Sequence, residues 1–173
     1  MSSVPVGRSS FMQDFTFERL AEEDLPFLLE VRNDCRNMLH DNRVFTLGEC
    51  QAWFRDRQPE FYVVRYQGER VGYFRVSNRR VEDRSAYVGA DLHKDFRGRG
   101  LARPAYHAFL VMLRDEQHIA VARLEVLSHN ALAYGLYQKL GFIETERKNC
   151  VAVRDGASVD SIVMSKVLAS ESE

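Results

Sequence analysis

A glycine-containing loop between two regular elements constrains the fold of this chain more than any other feature. The loop reads Arg97-Gly98-Arg99-Gly100 and follows an apolar, β-type run at residues 86–92. After the loop, apolar residues recur with the spacing of one helical face, at Leu101, Ala105, Ala108, Phe109 and Met112. A strand, a loop and a helix in this order form most of a crossover unit. We therefore predict that the next strand, residues 122–127, runs parallel to the first.

The remaining elements alternate in type along the chain, because segments of strand-like and helix-like periodicity follow one another. Strands are expected at residues 15–19, 61–66, 71–77, 86–92 and 122–127, with two more joined near Asp155 and Gly156. Helices are expected at residues 21–33, 46–59, 101–112 and 130–140. Thr46 and Glu49 have the spacing of a capping box at the start of the second helix. These elements predict an α/β (α+β) fold with one mixed sheet of about seven strands and helices on both faces.

The composition is that of one ordinary globular domain. The chain has 173 residues, of which 45% are hydrophobic and 28% are charged, so a disordered chain is excluded. We expect a flexible tail at residues 1–13, a single domain at residues 14–168 and a frayed end at residues 169–173. A formal charge of −1 argues against a nucleic-acid partner, and the absence of a long apolar run argues against a membrane span. Three cysteines without CxxC spacing favour a reducing, cytoplasmic location.

The loop has the properties of an anion site. The first amides of a helix lack internal partners and carry a partial positive charge, so main-chain donors there can hold a pyrophosphate. Lys94, Arg97, Arg99 and Arg103 add positive charge. The alternative is a plain turn with solvated arginines. No Lys-Ser or Lys-Thr follows the last glycine and GxGxxG is absent, which excludes the P-loop and the dinucleotide fingerprint.

Two motifs resemble those of the GCN5-related N-acetyltransferase (GNAT) superfamily. Arg97, Gly100 and Ala102 match its acetyl-CoA loop, Arg/Gln-x-x-Gly-x-Gly/Ala. Asn130, Tyr137 and the segment Lys139-Leu140-Gly141-Phe142 match its carboxy-terminal signature. The resemblance covers residues 15 to 167, which is nearly the whole chain.

This resemblance implies an acetyl-CoA-dependent N-acetyltransferase whose two central parallel strands splay apart around the coenzyme. The end of the first of these strands, at Asp91 and Leu92, would pair with the pantetheine arm. The amide of Leu92 would polarise the thioester carbonyl, and Asn130 would bind the arm or simply cap its helix. The pyrophosphate would be held by the main-chain amides of Arg97, Gly98, Arg99, Gly100, Leu101 and Ala102.

Tyr137 is the residue that the resemblance implies as general acid for the departing CoA thiolate. A phenol keeps its proton at neutral pH and can donate it in a dry cleft. Its spacing from Ala133, Leu136 and Leu140 also fits a core aromatic residue, so both roles stay open. Tyr134, one turn earlier, does not match the family position.

The sequence does not single out a general base. An ammonium group must lose a proton before it attacks a thioester, so a carboxylate, a histidine or a water is required. The candidates are Glu82, Asp83, Asp91, His93, Glu125 and His129. The other histidines form no metal-ligand motif, so no metal site is predicted. No Gly-x-Ser-x-Gly elbow or nucleophilic cysteine signature is present, which favours direct transfer in a ternary complex without an acyl-enzyme.

The acceptor is the least determined part of the reaction. The resemblance implies that residues 31–54 and 147–158 shape its site. Arg32, Asn33, Arg36, Trp53 and Phe54 faintly resemble acetyltransferases that act on nucleotide-linked amino sugars. A protein amino terminus, a lysine, a polyamine or an antibiotic amine stays open as the acceptor, although the sequence lacks the dense acidic run that a polyamine favours.

Other functions are also compatible with parts of the pattern. A non-catalytic CoA-binding regulatory module would keep the glycine loop without the transfer chemistry. A phosphate- or nucleic-acid-binding domain would use the loop arginines, but the near-zero net charge argues against it. Because exposed final strands often pair in the superfamily that the chain resembles, a homodimer is a further expectation.

Overall fold

The computed structural model describes residues 14–168, and the tails predicted at residues 1–13 and 169–173 lie outside this range. Its seven strands are β1 Phe15–Arg19, β2 Glu60–Tyr66, β3 Glu69–Arg80, β4 Ser85–Leu92, β5 Val121–Leu127, β6 Ile143–Arg154 and β7 Ala157–Val167. Its four α-helices are α1 Leu25–Asp34, α2 Leu47–Arg57, α3 Ala102–Asp115 and α4 Ala131–Lys139. No helix in this part of the chain is both long and apolar enough to cross a membrane.

All seven strands form one mixed sheet in the order β1-β2-β3-β4-β5-β7-β6. Neighbouring strands are antiparallel except β4 and β5, whose parallel pairing confirms the predicted crossover. This pairing covers only three positions, from Ser85 opposite Val121 to Tyr87 opposite Arg123. Beyond Tyr87 the two strands are no longer paired, so the sheet opens between them towards Leu92.

The two faces of the sheet bury separate clusters. On one face, Phe74 of β3 packs with Phe109 of α3, and α4 covers the same side. On the other face, Tyr73 of β3 packs with Leu25 and Leu28 of α1. Adjacent residues of a strand point to opposite faces, so helices cover both sides of the sheet, as predicted.

Local signals explain most element boundaries. Thr46 accepts a hydrogen bond from the amide of Glu49, whose carboxylate accepts one from the amide of Thr46, so the predicted capping box is present. The first predicted helix is shorter than expected: residues 22–24 form a 3₁₀ turn, and α1 begins only at Leu25 with Pro26 in its first turn. Proline lacks an amide proton, so it is tolerated at this position.

Candidate active site

The opening between β4 and β5 exposes main-chain groups of β4. The amide of His93 donates to the carbonyl of Val71 on β3 at 2.8 Å, and Leu92 lies opposite Gly72. In an antiparallel ladder, successive residues point their main-chain groups to alternate sides. The amide of Leu92 therefore points away from β3 and into the opening, as does that of Ala90. The main chain of Asp91, opposite Tyr73, points towards β3.

The glycine loop leaves the end of β4 with its amides open. Gly98 and Gly100 have φ values of +71° and +73°, which favour glycine over residues with a side chain. The first main-chain bond of α3 runs from the amide of Ala105 to Leu101, and no hydrogen bond donated by an amide of residues 98–103 is found in the described chain. A Cβ added at either glycine would meet no protein atom within 4 Å. The loop thus offers free donors around an open space, as an anion site requires.

The arginines of the loop are held by the protein itself. Arg97 donates from Nε to the carbonyl of Leu92 at 2.9 Å and pairs with Asp34 at 2.8 Å. Arg99 lies over the ring of Phe96, with its guanidinium carbon 5.3 Å from the ring centroid. The side chain of Arg97 therefore fixes the end of β4, while the main chain supplies the open donors.

The carboxy-terminal signature forms the start and the inner face of α4. The side-chain oxygen of Asn130 accepts from the amide of Ala133 at 3.2 Å, so this residue caps the helix. The Asn130 amide nitrogen makes no hydrogen bond in the described part of the chain. A helix cap and a ligand contact can thus coexist, because each uses a different atom of the side chain.

Tyr137 lies on α4 and is only 8% exposed. Its hydroxyl lies 3.2 Å from that of Tyr106 on α3, so the phenol is both packed and hydrogen-bonded. Burial raises the pKa of Tyr137, partly offset by the bond to Tyr106. The charge of Asp91 also raises this pKa and that of Arg75 lowers it, although both side chains lie on the other face of the sheet.

Arg75 and Asp91 form an ion pair on that other face. The guanidinium Nη1 lies 3.7 Å from Oδ2 of Asp91, which also accepts a hydrogen bond from the Tyr73 hydroxyl at 2.5 Å. Burial alone lowers the pKa of Arg75, but the charge of Asp91 and three nearby tyrosine hydroxyls reverse this effect, so the net shift is upward. The guanidinium therefore stays charged.

A cavity of about 340 Å³ lies between α1, α2 and this face of the sheet. Its walls are mainly apolar, and Tyr73 and Arg75 line it from the sheet. Arg32 and Trp53 line it as the predicted acceptor region implies, but Asn33, Arg36 and Phe54 do not. Residues 147–158 of the late hairpin do not line the cavity themselves. Arg154 of this hairpin donates to the carbonyls of Leu39 and His40, which line the cavity. The remaining lining residues are Leu28, Leu29, Asp41, Phe45, Glu49, Cys50 and Phe61.

The six candidate bases lie in different parts of the molecule. Glu82 and Asp83 occupy the turn before β4, at the end of that strand opposite to Leu92. His93 bonds Glu30 of α1 at 3.0 Å. Asp91 and Glu125 lie on the face of the sheet that carries the cavity.

His129 and Glu125 lie outside the cavity lining but contact residues near it. His129 bonds the carbonyl of Asn37 at 3.0 Å. Glu125 accepts from Ser161 at 2.9 Å, and Ser161 lies 2.8 Å from His40 of the cavity lining. Burial lowers the pKa of His40. In the described range, no group of three or more His, Cys, Asp and Glu side chains is placed to hold a metal ion.

Three residues of the site were not identified from the sequence: Tyr73, Arg75 and Tyr106. Tyr73 and Arg75 alternate on one face of β3, which period-two analysis of this strand would have shown. No signal in the sequence relates Tyr106 to Tyr137, since 31 positions separate them.

Comparison with known proteins gives a family and several structures of similar fold. The Acetyltransferase (GNAT) family model matches residues 18–142. The fold is similar to spermidine N-acetyltransferase from Vibrio cholerae in complex with CoA and spermine, with a TM-score of 0.82, 20% identity and coverage of 90% of this chain and 96% of that one. A second similar structure is ribosomal-protein-alanine N-acetyltransferase from Brucella melitensis, with a TM-score of 0.73, 22% identity and coverage of 88% and 99%.

A third similar structure is an N-acetyltransferase from Staphylococcus aureus Mu50, with a TM-score of 0.75, 18% identity and coverage of 90% of this chain and 99% of that one. Comparison with curated protein sequences gives no match. The similar structures support the fold, and the family model covers well over half of the chain. The chain therefore belongs to the GNAT acetyltransferase family and is an acetyl-CoA-dependent N-acetyltransferase.

Proposed function

We propose that this enzyme transfers an acetyl group directly from the coenzyme to the primary amine of a small molecule bound in the cavity between α1 and α2. One observation carries the proposal: β4 has open main-chain donors on its β5 side near Leu92, and the adjacent Asp91 contacts Tyr73 and Arg75 of β3, which line the cavity. A thioester and an amine held in these two places are brought to the same end of one strand. Proximity of this kind lowers the barrier to transfer.

The coenzyme supplies an activated acyl group as a thioester. Main-chain amides of the loop, from Gly98 to Ala102, are free to bind its pyrophosphate, while the amide of Arg97 is partly engaged by the carbonyl of Lys94 at 3.4 Å. Ala90 and Leu92 point their main-chain groups towards the pantetheine arm, and Asn130 offers its amide nitrogen. Because the main chain of Asp91 points towards β3, Ala90 rather than Asp91 can form strand-like hydrogen bonds with the pantetheine arm.

Leu92 and Tyr137 carry the chemical steps in this proposal. The amide of Leu92 stabilises the negative charge that develops on the carbonyl oxygen. Tyr137 donates its hydroxyl proton to the leaving sulfur, and its raised pKa keeps that proton in place at neutral pH. Of the six candidate bases, Asp91 and Glu125 lie on the face of the sheet that carries the cavity.

The comparisons leave the acceptor open. One similar structure is a polyamine acetyltransferase and another acts on a ribosomal-protein alanine, so similarity of fold does not choose between such acceptors. A cavity of about 340 Å³ with mainly apolar walls supports a small molecule, with an amino sugar among the candidates, over a folded protein surface. The three free cysteines support a cytoplasmic location, and the homodimer stays a prediction.

The proposal is tested by mixing the protein with acetyl-CoA and a panel of amines and measuring release of the thiol. The panel contains amino acids, amino sugars, polyamines, peptides with a free amino terminus and an aminoglycoside. We expect turnover with at least one small amine and no acetylated enzyme after acid quenching. Tight CoA binding without turnover of any small amine would contradict the proposal.

A further inference from the structure

The guanidinium of Arg75 lines the cavity with its hydrogen-bond donors unused. It is 36% exposed, lies on the lining of the cavity and makes no hydrogen bond to any other residue in the range 14–168. Its carboxylate neighbour Asp91 is 3.7 Å away, too far for a hydrogen bond. A half-buried guanidinium with free N–H groups has a strong tendency to bind an anion, because the loss of water around it is otherwise uncompensated.

The fold holds Arg75 in this place through Gly89. Arg75 lies opposite Gly89 in the β3–β4 ladder, and a Cβ at Gly89 would come within 2.6 Å of the guanidinium carbon. The guanidinium therefore lies flat over β4 where the strand has no side chain. Asp91 follows on the same face, with its side chain only 12% exposed. A cation and an anion thus stand side by side between the cavity and the end of β4.

The other charged groups of the cavity are already engaged. Arg32 donates to the carbonyl of Asp41 at 2.6 Å and also to that of Arg43, and it lies over the ring of Phe45. Asp41 pairs with Arg43 at 2.7 Å.

Oε2 of Glu49 is engaged as well, because it accepts from the amide and the hydroxyl of Thr46 in the cap of α2. Of the two arginines that line the cavity, Arg75 alone keeps its donors free of hydrogen bonds within the described chain. Guanidinium donors are therefore available to an anionic group of a substrate.

Building on the proposed function, we propose that the acceptor is a free α-amino acid with an apolar or aromatic side chain. Arg75 binds the α-carboxylate, and Asp91 faces the ammonium group, which is two bonds from the carboxylate carbon. The side chain of the amino acid lies among Leu28, Trp53 and Phe61 of the cavity wall. A zwitterion thereby matches a pair of opposite charges that the fold presents next to each other.

This arrangement disfavours the other amines. A polyamine has no anion for Arg75 and would bring further positive charge next to it, at a cost in binding. A peptide with a free amino terminus has an uncharged amide where the free amino acid has its carboxylate. In an amino sugar linked to a nucleotide, the phosphorus is at least four bonds from the amine, compared with two bonds from the amine to the carboxylate carbon of an α-amino acid, so its anion fits the adjacent Arg75 and Asp91 less well.

The transfer step balances with groups already described. The ammonium gives one proton to the Asp91 carboxylate, which releases it to solvent. The amine nitrogen then forms a bond to the acetyl carbon as the carbon–sulfur bond breaks. The nitrogen loses a second proton, and the sulfur gains one from Tyr137, which is reprotonated. The products are the N-acetyl amino acid, the free thiol and one proton in solvent.

The first test compares three amines that share one side chain: phenylalanine, phenylalaninol and phenethylamine. Only the first has a carboxylate. We expect kcat/KM for phenylalanine to exceed that of the other two by about 10- to 100-fold, the range for a hydrogen-bonded charge pair. Equal or better use of phenylalaninol would overturn the inference while leaving acetyl transfer to small amines intact.

Spermidine, glucosamine and the dipeptide phenylalanyl-alanine complete the panel. Preference for any of them over the amino acids phenylalanine, leucine, methionine and tryptophan overturns the inference. If no amine is acetylated although CoA binds, the proposed function fails as well, so the two failures are distinguishable.

A second test uses Arg75→Gln with Arg79→Gln as its matched control. Arg79 lies on the same strand but pairs with Glu60, away from the cavity. We expect Arg75→Gln to abolish the preference for phenylalanine over phenylalaninol, chiefly through KM, and to leave CoA affinity unchanged. Arg79→Gln should keep the preference. An unchanged preference in Arg75→Gln would refute the inference, and the comparison of substrates on the unmodified enzyme tests it independently of how the variants fold.

Discussion

The two sides of β4 differ in the way they present chemistry. On the side of the opening, the groups available are main-chain amides at Ala90, Leu92 and the glycine loop, while the nearby arginine side chains are held by the protein. On the acceptor side, the groups available are the side chains of Arg75 and Asp91, brought together from two strands. Recognition by main chain depends on backbone shape alone, whereas recognition by side chains changes with single substitutions. We therefore expect side-chain substitutions to change recognition less on the proposed coenzyme side than on the proposed acceptor side.

Tyr137 should give the largest effect, because in the proposed reaction its proton serves the chemical step. We expect Tyr137→Phe to lower kcat by about 10²- to 10⁴-fold. It should also lower the free energy of unfolding by about 1–3 kcal/mol, because the buried Tyr106 hydroxyl loses its partner. The loss should shrink at low pH, where solvent can protonate the sulfur. Measurement of kcat across pH checks this.

Tyr134→Phe is the matched control for Tyr137→Phe. The Tyr134 hydroxyl bonds Glu144 at 3.0 Å on the molecular surface. We expect near-normal turnover from this variant. If Tyr137→Phe retained full kcat at every pH, Tyr137 would be a packing residue only.

Gly100→Val should act on the coenzyme side alone. A valine at φ +73° costs about 1–2 kcal/mol, and its side chain would also enter the space beside the free amides. We expect CoA affinity to fall by at least about tenfold, as measured by calorimetry. Gly156→Val carries the same backbone penalty at φ +78° in the β6–β7 turn and should lose stability without losing affinity. Equal CoA affinity in both variants would show that the loop does not hold the pyrophosphate.

Substitutions at two further glycines should affect the two sides of β4 separately. A Cβ at Gly72 would overlap the carbonyl of Asp91 and come within 3.0 Å of the Leu92 Cα, neither of which can move without displacing the strand. We expect Gly72→Ala to destabilise by about 1–3 kcal/mol and to weaken CoA binding. A Cβ at Gly89 meets only the mobile end of Arg75. We therefore expect Gly89→Ala to raise the KM of the acceptor with CoA binding intact. Weaker CoA binding with an unchanged acceptor KM in this variant would contradict the assignment of the two sides.

The smallest effect is expected at Asp83, where β4 and β5 are still paired. Hydrogen bonds from Ser85 and Arg123 lower the pKa of Asp83 from 3.8 to about 2. Because the folded-state pKa is depressed, the stabilisation is present above the unfolded value and is lost as the pH falls towards 2. Asp83→Asn should lower the melting temperature slightly at neutral pH, and the difference should narrow below about pH 4. A difference that is independent of pH would exclude the charge of Asp83 as its source.

Much of the fold was predictable because its signals are local. Four of the five strands given bounds were assigned within one residue of their observed ends. The last two strands were placed only by their turn at Asp155 and Gly156, where both residues have positive φ, as their residue types favour. The third strand is longer than expected, since its polar end, Asn78 to Arg80, lacks the apolar pattern that marks a strand. The ladder opposite β4 holds this segment in the sheet.

The sequence alone determined the glycine loop, the helix caps and the crossover, because positive φ, capping distances and hydrophobic periods are properties of a few neighbouring residues. The tertiary structure alone decided that Arg75 lies over Gly89 beside Asp91, and that Tyr106 meets Tyr137. These contacts depend on which strands are neighbours and on where β4 and β5 separate. No short segment carries that information, since it arises only when the whole sheet packs between its two layers of helices.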